Sequence, residues 1–411
     1  MIDNPYASKV FIDTWFKHFD KTESRSKILG IEGTEFYKNG SGIYVNSGKT
    51  HTKGIYYSLA NEIQIENKTL LINDVPSYFG CPASLPTKST KLKRIKQYPG
   101  FLIELDQFNS LGDFMRQKFK KSSRYKLNKY KKRLTQCFDI QYKMYRGEIA
   151  EKDYQRIFKR FRELLEKRFE DKGEHNNNLD KQEWEFYKKV GLTMIKENKA
   201  GLFVIEDHGN PIAITLNYFS EQNIFDAITV FDIDYAKFHL GSVNIMFLIE
   251  WGIENGYKIL DFSKGYFDYK VRWSTKKYDF EYHILYNPKS IISRTKAFFL
   301  TTFFKSKQYL RDKGINRVLN KARFALKNSG DHGPKRDRKI PSTPIFEDYG
   351  LEDTVELIKI DGYNPKIKKV FFDFLYLYSE TSQDVNIFKL DEKENQYVFK
   401  GKKNSKIISL T

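Results

Sequence analysis

The chain has 411 residues, of which 40% are hydrophobic and 16% aromatic, and its formal net charge is +19. This length exceeds that of one ordinary domain, and the apolar content excludes a chain that is disordered throughout. The positive surplus predicts an anionic partner: nucleic acid, anionic lipid or a phosphorylated cofactor. Residues 346–411 hold ten Lys/Arg against twelve Asp/Glu, so residues 1–345 carry the whole excess.

Cysteine usage and the start of the chain bear on the cellular compartment. Only Cys81 and Cys137 occur, far apart in sequence, which argues against a disulfide framework and excludes a Cys-x-x-Cys zinc site. The segment Met1–Val10 lacks the apolar core of a signal peptide, and no apolar run reaches the ~20 residues that a membrane-spanning helix needs. We therefore expect a cytoplasmic protein, and we expect no metal.

Residues 1–109 predict a small α/β domain. Aromatic and aliphatic residues spaced three and four apart between Phe11 and Phe19 predict an amphipathic helix. Short apolar runs, separated by Gly, Asn and Pro, predict strands that end with Phe101–Leu105.

Residues 110–137 predict a basic helix that connects two domains. Between Arg116 and Arg133 the sequence has ten Lys/Arg and no acid. One interpretation is a phosphate-binding face, and the other is a solvated helix whose long side chains cover apolar neighbours. The absence of compensating acids favours binding, because like charges along one helix repel each other.

Residues 138–290 predict a second α/β domain with the order β-α-α-β-β-β-α-β-β. The tetrapeptide His208–Pro211 predicts a tight turn between two of these strands. The run Ile224–Phe231, a helix that opens at Gly241 and the run Lys258–Phe262 predict a right-handed crossover between parallel strands. The open amides at the start of such a helix attract anions.

The chain changes character after Pro288. Residues 291–327 predict a basic aromatic helical segment, 328–345 a linker, and 346–411 a small appendage to which the sequence assigns no role. The first segment has phenylalanines and lysines that suit a helix lying on an anionic membrane surface. They also suit a helix packed on the protein body, and we favour this second interpretation.

Four residues are candidates for catalysis. Asp261 ends a predicted buried strand, and two roles fit this position: a general base, or a structural acid that caps the following loop. Asp226 lies mid-strand and rivals Asp261 if it faces the cleft. For the Lys270 ammonium the two interpretations are polarisation of a carbonyl group and an ion pair with Asp261. Tyr269 suits protonation of a leaving group, or a half-buried anchor.

The central stretch resembles a known family. Its marker residues are Tyr235, Gly241, Gly256, Asp261-Phe262, Gly265, Tyr269-Lys270 and Trp273. With the order of elements, they resemble the FemAB-like, CelD/BcsL-type acetyltransferases of exopolysaccharide and cellulose biosynthesis, which have the GNAT fold. The resemblance covers roughly residues 10–290 and implies an α/β protein with tandem GNAT-like domains, mixed sheets and a C-terminal appendage.

The resemblance also implies a donor and its binding site. It implies acetyl-CoA or another acyl-CoA as co-substrate, with the pyrophosphate on Gly241, Ser242 and Val243, and Gly265 and Arg124 close to the cofactor. In its FemAB branch it implies aminoacyl-tRNA instead. The phosphate loop Lys237–Ser242 departs from the usual GNAT pattern, because it keeps a single glycine.

Three functions therefore compete. The first is transfer of an acyl group to an amine or hydroxyl of a sugar or envelope-glycan precursor, in some cases lipid-linked, with peripheral contact at an anionic membrane. It proceeds by direct attack, since no Ser/His/Asp or Cys/His signature for a covalent intermediate is present. The second is aminoacyl transfer from tRNA, held by the basic helix. The third is a non-enzymatic binder of nucleic acid or anionic surfaces.

Overall fold

The structure is a computed structural model that describes residues 4–82, 89–313, 345–348, 357–365, 367–390 and 395–410. The predicted linker, 328–345, lies outside these ranges except for its last residue, and so does the end of the predicted segment 291–327.

Mixed α/β structure extends through the described residues, as the sequence predicts. The helices are α1 (Lys9–His18), α2 (Leu111–Lys118), α3 (Lys121–Cys137), α4 (Glu151–Lys172), α5 (Lys181–Lys196), α6 (Leu240–Glu254), α7 (Asp268–Trp273), α8 (Ile291–Asp312) and α9 (Lys368–Tyr378).

The strands of the first half are mostly short. They are β1 (Arg25–Ser26), β2 (Ile31–Glu32), β3 (Phe36–Lys38), β4 (Tyr44–Asn46), β5 (Ser58–Leu59), β6 (Thr69–Pro76) and β7 (Lys91–Glu104). The second half adds β8 (Ile140–Tyr145), β9 (Ala200–Asp207), β10 (Asn210–Phe219), β11 (Asn223–Phe231), β12 (Ile259–Lys264) and β13 (Lys276–Tyr286). The C-terminal unit has β14 (Glu347–Asp348), β15 (Leu357–Ile360), β16 (Asn386–Leu390), β17 (Gln396–Lys400) and β18 (Ser405–Ser409).

One sheet of eleven strands joins the two halves, in the order β1-β3-β4-β6-β13-β7-β12-β11-β10-β9-β8. The long strand β7 of the first half lies between β12 and β13 of the second half and is antiparallel to both. Strand β13 in turn pairs with β6. Each half therefore completes the sheet of the other, and the domain boundaries drawn from sequence, 1–109 and 138–290, stay predictions.

Helices cover both faces of this sheet because its central strands are apolar on both sides. In β9, Leu202 and Val204 face the core shared with α1, α4, α5 and α8, whereas Phe203 and Ile205 face the core shared with α2, α3 and α6. Helix α6 is apolar nearly all round and is buried between the sheet and α2 and α3. Such a helix is stable only as an internal element.

The predicted order of the second half is confirmed. The tight turn is His208-Gly209, where both residues have positive φ, at 48° and 72°, as a two-residue hairpin turn with right-handed strand twist requires. Strands β11 and β12 are parallel and are joined through α6.

The predicted basic helix, 110–137, is interrupted. It consists of α2 and α3, with Phe119 extended between them. The Phe119 ring packs against Trp273 with centroids 4.9 Å apart. A helix that continued through Phe119 would point this ring in another direction. Arg124 Nη1 donates to the carbonyls of Arg116 and Phe119, at 3.3 and 3.1 Å, and so satisfies the end of α2.

The predicted appendage is a five-stranded antiparallel sheet, β14-β18-β17-β16-β15, with α9 packed on it. It is docked on the segment that precedes α6. Lys368 Nζ lies 3.2 Å from Asp232 Oδ2, and the Tyr363 hydroxyl donates to Asp207 at 3.0 Å. The Phe372 ring enters the core formed with α3 and α6.

We predict that Asp232 is a main anchor of this docking. Its buried carboxylate also accepts from Lys167 at 2.6 Å and from Arg160 at 3.2 Å. Asp232→Ala removes the buried anion that these three cations share, although Asp234 and Glu163 remain beside them. The change should lower the free energy of unfolding by about 2–4 kcal/mol, measured by urea denaturation.

Asp279→Ala is the matched control, because it removes an ion pair with Lys96 at the surface. A similar loss of stability in both variants would contradict the anchoring role of Asp232.

Candidate active site

A gap opens in the centre of the large sheet where β11 and β12 separate. The two strands pair only from Asn223 to Phe225, opposite Ile259 to Asp261. Beyond this point β11 pairs only with β10, and β12 stays on β7. A bulge at Ala227, which has no partner in β10, accompanies the separation. Asp226 and Asp261 stand on neighbouring strands at the start of the gap. The two carboxylates make no contact with each other among the described residues, but the charge of Lys270 acts on both.

Asp261 is completely buried and its hydrogen-bonding capacity is used by protein groups. The Tyr278 hydroxyl lies 2.7 Å from both carboxylate oxygens, and the Tyr78 hydroxyl donates to Oδ2 at 2.8 Å. The amide of Ser263 donates to Oδ1 at 2.7 Å. Burial raises the pKa of Asp261 to about 6, against the lowering effect of these donors. These contacts fit a residue that holds the local structure.

Gly100 makes the Tyr278 contact possible. It lies opposite Tyr278 in the pairing of β7 with β13, and a Cβ atom at Gly100 would lie 2.2 Å from the Tyr278 ring. The ring can reach Asp261 only because position 100 has no side chain.

Asp226 is half-buried and has one hydrogen-bond donor among the described residues. Thr229 Oγ1 donates to its Oδ1 at 2.8 Å. The hydroxyl oxygens of Thr229 and Thr215 are 3.1 Å apart. Asn244 Nδ2 of α6 donates to the Thr215 hydroxyl oxygen at 3.0 Å. Desolvation raises the pKa of Asp226, although Thr229 and the neighbouring lysines lower it. A chain of hydrogen bonds thus orients a carboxylate that is set up to accept a proton.

Two lysines share this desolvated region with Asp226. Burial lowers the pKa of Lys270 to about 8, and the charge of Asp226 opposes that shift. Burial, followed by the charges of Lys264 and Lys270, lowers the pKa of Lys53 to about 8 as well. Such groups stay largely protonated at neutral pH while their charge is poorly solvated, so they stabilise negative charge that develops nearby.

Lys270 also maintains the backbone that follows Asp261. Its Nζ donates to the carbonyls of Lys264 at 2.9 Å and Ser263 at 3.3 Å. Ser263 has a φ of 62°, a left-handed conformation that is uncommon for a residue other than glycine. These carbonyl contacts take the place of the ion pair with Asp261 that was one of the two alternatives. They leave the third N–H of the ammonium without a hydrogen-bond partner among the described residues.

Tyr269 lies at the rim of the gap. Its surface is 42% exposed, but desolvation of the hydroxyl and the charge of Asp226 raise its pKa, while Arg168 lowers it. The hydroxyl therefore stays protonated and able to donate. Arg168 lies over the Phe231 ring, 4.3 Å from its centroid.

Several buried polar atoms around the gap have no hydrogen-bond partner within the described ranges. They include Asn217 Oδ1, Asn244 Oδ1 and the Tyr218 hydroxyl. Asn217 lies opposite Asp226 in the pairing of β10 with β11. Buried polar groups are rarely left without partners, so these atoms fit a polar ligand or water in the gap.

The predicted donor-binding residues lie close to the gap, and most already make contacts within the protein. The amides of Ser242 and Val243 donate to the His239 carbonyl at 2.8 and 3.2 Å. A Cβ at Gly241 would meet the Phe231 ring at 2.6 Å. The Gly265 amide donates to the Pro99 carbonyl at 2.9 Å. Arg124 donates to carbonyls at the end of α2. All five residues that the resemblance assigns to the donor therefore make local contacts within the protein.

A basic groove of about 830 Å³ lies along α3 where α9 approaches it. No acidic residue lines it. Its lining residues are Lys120, Lys121, Ser122, Tyr125, Lys126, Lys129, Tyr130 and Tyr376. Four ammonium groups with three aromatic rings suit a ligand that carries both phosphates and a planar base.

The basic groove is connected to the gap through neighbouring side chains. The Tyr130 ring stacks on His239, the residue before α6, with centroids 4.0 Å apart. The first turn of α6 contacts Phe231 through Gly241, and Phe231 contacts Arg168. Arg168 in turn interacts electrostatically with the Tyr269 hydroxyl. A continuous series of cationic and aromatic groups thus leads from the groove to Asp226 and Lys270.

Sequence reasoning missed the contributions of the first half to the site. Lys53, Tyr78 and Asp74 come from loops and strands more than a hundred residues before β12. Asp74 pairs with Lys264 at 2.6 Å. A pairing of β7 with β12 brings them into place, and no local pattern in the sequence indicates that pairing.

We predict that Asp261 lowers stability as the pH rises from about 4 to 6. The ordinary pKa of the carboxyl is 3.8, and in the fold it is about 6. Below this range both states hold the proton, and above it the folded state must bury a charge. Relative to Asp261→Asn, the free energy of unfolding of the wild type should fall by roughly 3 kcal/mol across the range. Urea denaturation at several pH values measures it, and a pH-independent difference would contradict the assignment.

Comparison with known proteins finds a family match over the central part of the chain. Residues 121–271 match the acetyltransferase (GNAT) domain family, and no curated protein matches the chain. The match begins at the first residue of α3, so the matched range includes that helix.

Solved structures are similar at low identity. FemX is 10% identical, with 69% of this chain and 92% of that chain covered and a TM-score of 0.45. L-PGS from Bacillus licheniformis is 11% identical, with 74% and 97% covered and a TM-score of 0.40. A tandem GNAT protein of the clavulanic acid pathway is 8% identical, with 52% and 63% covered and a TM-score of 0.27. Over residues 121–271 the chain is therefore similar to acyltransferase domains of the GNAT type.

Proposed function

We propose that the protein transfers an acyl group to an amine or hydroxyl acceptor in the gap between β11 and β12. The observation that carries the proposal is the desolvated set of Asp226, Lys53 and Lys270 at the point where the strands separate. A carboxylate with raised pKa beside ammonium groups with lowered pKa is an arrangement typical of proton transfer and charge stabilisation.

The chemistry follows from the roles of these groups. The acceptor nitrogen or oxygen attacks the acyl carbonyl, and Asp226 takes the proton that the acceptor loses. Lys270 and Lys53 stabilise the negative charge on the carbonyl oxygen. The bond to the leaving group then breaks, and Tyr269 gives it a proton. The proton on Asp226 returns to Tyr269 through solvent, so no net charge accumulates.

Asp226 is the better candidate for the general base, and Asp261 for a positioning residue. Asp226 is half-buried and has one protein donor, so an acceptor has room to reach it. Asp261 is inaccessible and its two oxygens are shared by Tyr278, Tyr78 and Ser263. An acceptor would have to displace one of these buried contacts to reach it.

Acyl-CoA is the first candidate for the donor. The GNAT-type domain supports it, and so does the resemblance to CelD/BcsL-type acetyltransferases. In this proposal the phosphates of the donor occupy the basic groove along α3, and its thioester lies in the gap. The acceptor is then a sugar or another precursor of an envelope polysaccharide.

Aminoacyl-tRNA is the second candidate, favoured by the size and openness of the basic groove. The donors share an adenosine and phosphates, so the same lysines and tyrosines serve either one. The engaged amides of Ser242 and Val243 support this candidate, because a pyrophosphate would find fewer open donors at α6 than in a glycine-rich loop.

We predict that Asp226→Asn lowers kcat by about 10²–10⁴-fold without loss of stability, because it removes the base while keeping the side-chain volume. Transfer of a radiolabelled acyl group from acyl-CoA or charged tRNA to an amine acceptor is the measurement. Asp279→Asn is the control, because this carboxylate of β13 lies outside the gap and pairs with Lys96. Unchanged kcat in Asp226→Asn would exclude this residue as the base.

We predict that Thr229→Val shifts the pH dependence of the rate, which the loss of a merely structural contact would not do. Thr229 lowers the pKa of Asp226 by donating to it, so its loss should move the acidic limb of the pH–rate profile to higher pH. A uniform loss of activity with no shift of the profile would contradict the positioning role.

We predict that charge reversal in the basic groove weakens donor binding. Lys126→Glu with Lys129→Glu should lower affinity for the donor at least about tenfold and flatten its salt dependence, measured by titration at two ionic strengths. Lys152→Glu with Lys189→Glu, on α4 and α5, is the control of equal charge. Equal effects of the two pairs would show that only net charge matters.

A further inference from the structure

Helix α8 packs against the body with one face only. Its buried residues Ser293, Ala297, Thr301 and Phe304 recur every three or four positions. Phe304 stacks on Tyr282 of β13 with centroids 3.8 Å apart, and Ser293 Oγ donates to the Lys68 carbonyl at 2.7 Å. This inner face holds the helix on β6, β7 and β13. The interpretation that we favour from sequence, a helix packed on the protein body, therefore describes the inner face of α8 and leaves its opposite face unexplained.

The opposite face carries large apolar side chains that the described residues leave exposed. Each exposes between 58% and 71% of its surface. At about 100° per residue they occupy the side of α8 turned away from the inner face. We call this set the α8 outer face: Ile291, Ile292, Phe298, Phe299, Phe303 and Tyr309.

Basic residues border the α8 outer face on both sides. By the same helical spacing, Arg294 and Lys305 lie along one border, and Lys296 and Lys307 along the other. Lys296 Nζ donates to the Gly42 carbonyl at 3.0 Å, so it also holds the helix in place. The acidic residue of α8 is Asp312, at its C-terminal end.

We propose that the α8 outer face docks on the surface of an anionic phospholipid bilayer, with the helix parallel to the membrane plane. The six apolar side chains enter the boundary between head groups and acyl chains, and the flanking lysines and arginine pair with phosphates. The helix is about 33 Å long, which gives a continuous line of contact.

Charge distinguishes this partner from a second copy of the chain. Two α8 outer faces packed together would bring both basic borders against each other, which disfavours the dimer. An anionic surface complements both borders at once. None of the described helices is long and apolar enough to cross a membrane, so the contact that the surface fits is peripheral.

Vesicle co-sedimentation of the full chain tests the proposal. Vesicles of phosphatidylcholine with phosphatidylglycerol should sediment the protein, and vesicles of phosphatidylcholine alone should do so far less. The triple change Phe298→Ser, Phe299→Ser and Phe303→Ser should lower partitioning by roughly a hundredfold or more, because it removes three aromatic side chains that would leave water for the bilayer. Its melting temperature should stay near that of the wild type, since these side chains touch little of the protein.

Controls separate the α8 outer face from general stickiness. Leu29→Ser with Leu377→Ser removes exposed apolar residues elsewhere and should leave partitioning unchanged. Lys305→Glu with Lys307→Glu should weaken binding to anionic vesicles, while Lys152→Glu with Lys189→Glu should not.

Three results would overturn the proposal. They are no sedimentation with anionic vesicles, equal partitioning of the triple variant and the wild type, or a concentration-dependent dimer or RNA complex that the triple variant abolishes. The inference does not depend on the proposed acyl transfer, because vesicle binding is measured without any donor or acceptor.

Discussion

The desolvation of opposite charges at one point of the sheet is the constraint on which the site depends. β11 and β12 cease to pair after Phe225 and Asp261, and ionisable side chains that are partly or fully desolvated line the space between them. Burial raises the pKa of Asp226 and lowers the pKa of Lys53 and Lys270. Such charges destabilise a fold, and they are retained where chemistry requires them.

The shared sheet makes this arrangement possible. Strand β7 lies between β12 and β13, so loops of the first half enclose the gap of the second. Lys53, Tyr78 and Tyr278 reach the same region from three different strands and turns. The first half therefore contributes a cation to the candidate site, and its Tyr78 orients Asp261. The C-terminal unit contributes at the other end, where Tyr376 completes the basic groove.

The sequence predicts the elements of the second half well because they depend on local patterns. The hairpin at His208-Gly209 follows from the backbone conformations these residues accept, and α6 from its dense apolar run. The crossover between β11 and β12 follows from chirality. The same patterns single out Asp226 and Asp261 as candidate carboxylates, but they leave open which way the Asp226 side chain faces.

Features that depend on distant pairing are not predictable in this way. The break at Phe119 occurs because Trp273, far along the chain, offers a better partner than a continued helix does. Arg124 looks like a phosphate ligand in sequence, but its guanidinium closes α2. Lys53 stands in an unremarkable loop, and only the position of β7 makes it a neighbour of Lys270. The exposed side of α8 likewise becomes evident only when its packed side is known.

A crystal structure with a non-transferable analogue of the donor that supports activity tests the central claim most directly. We predict that the acyl carbonyl lies between β11 and β12, within hydrogen-bonding distance of Lys270 and close to Asp226. We also predict that the donor phosphates lie along Lys126 and Lys129. An analogue bound with its carbonyl outside this gap would contradict the assignment of the site, whichever donor it carried.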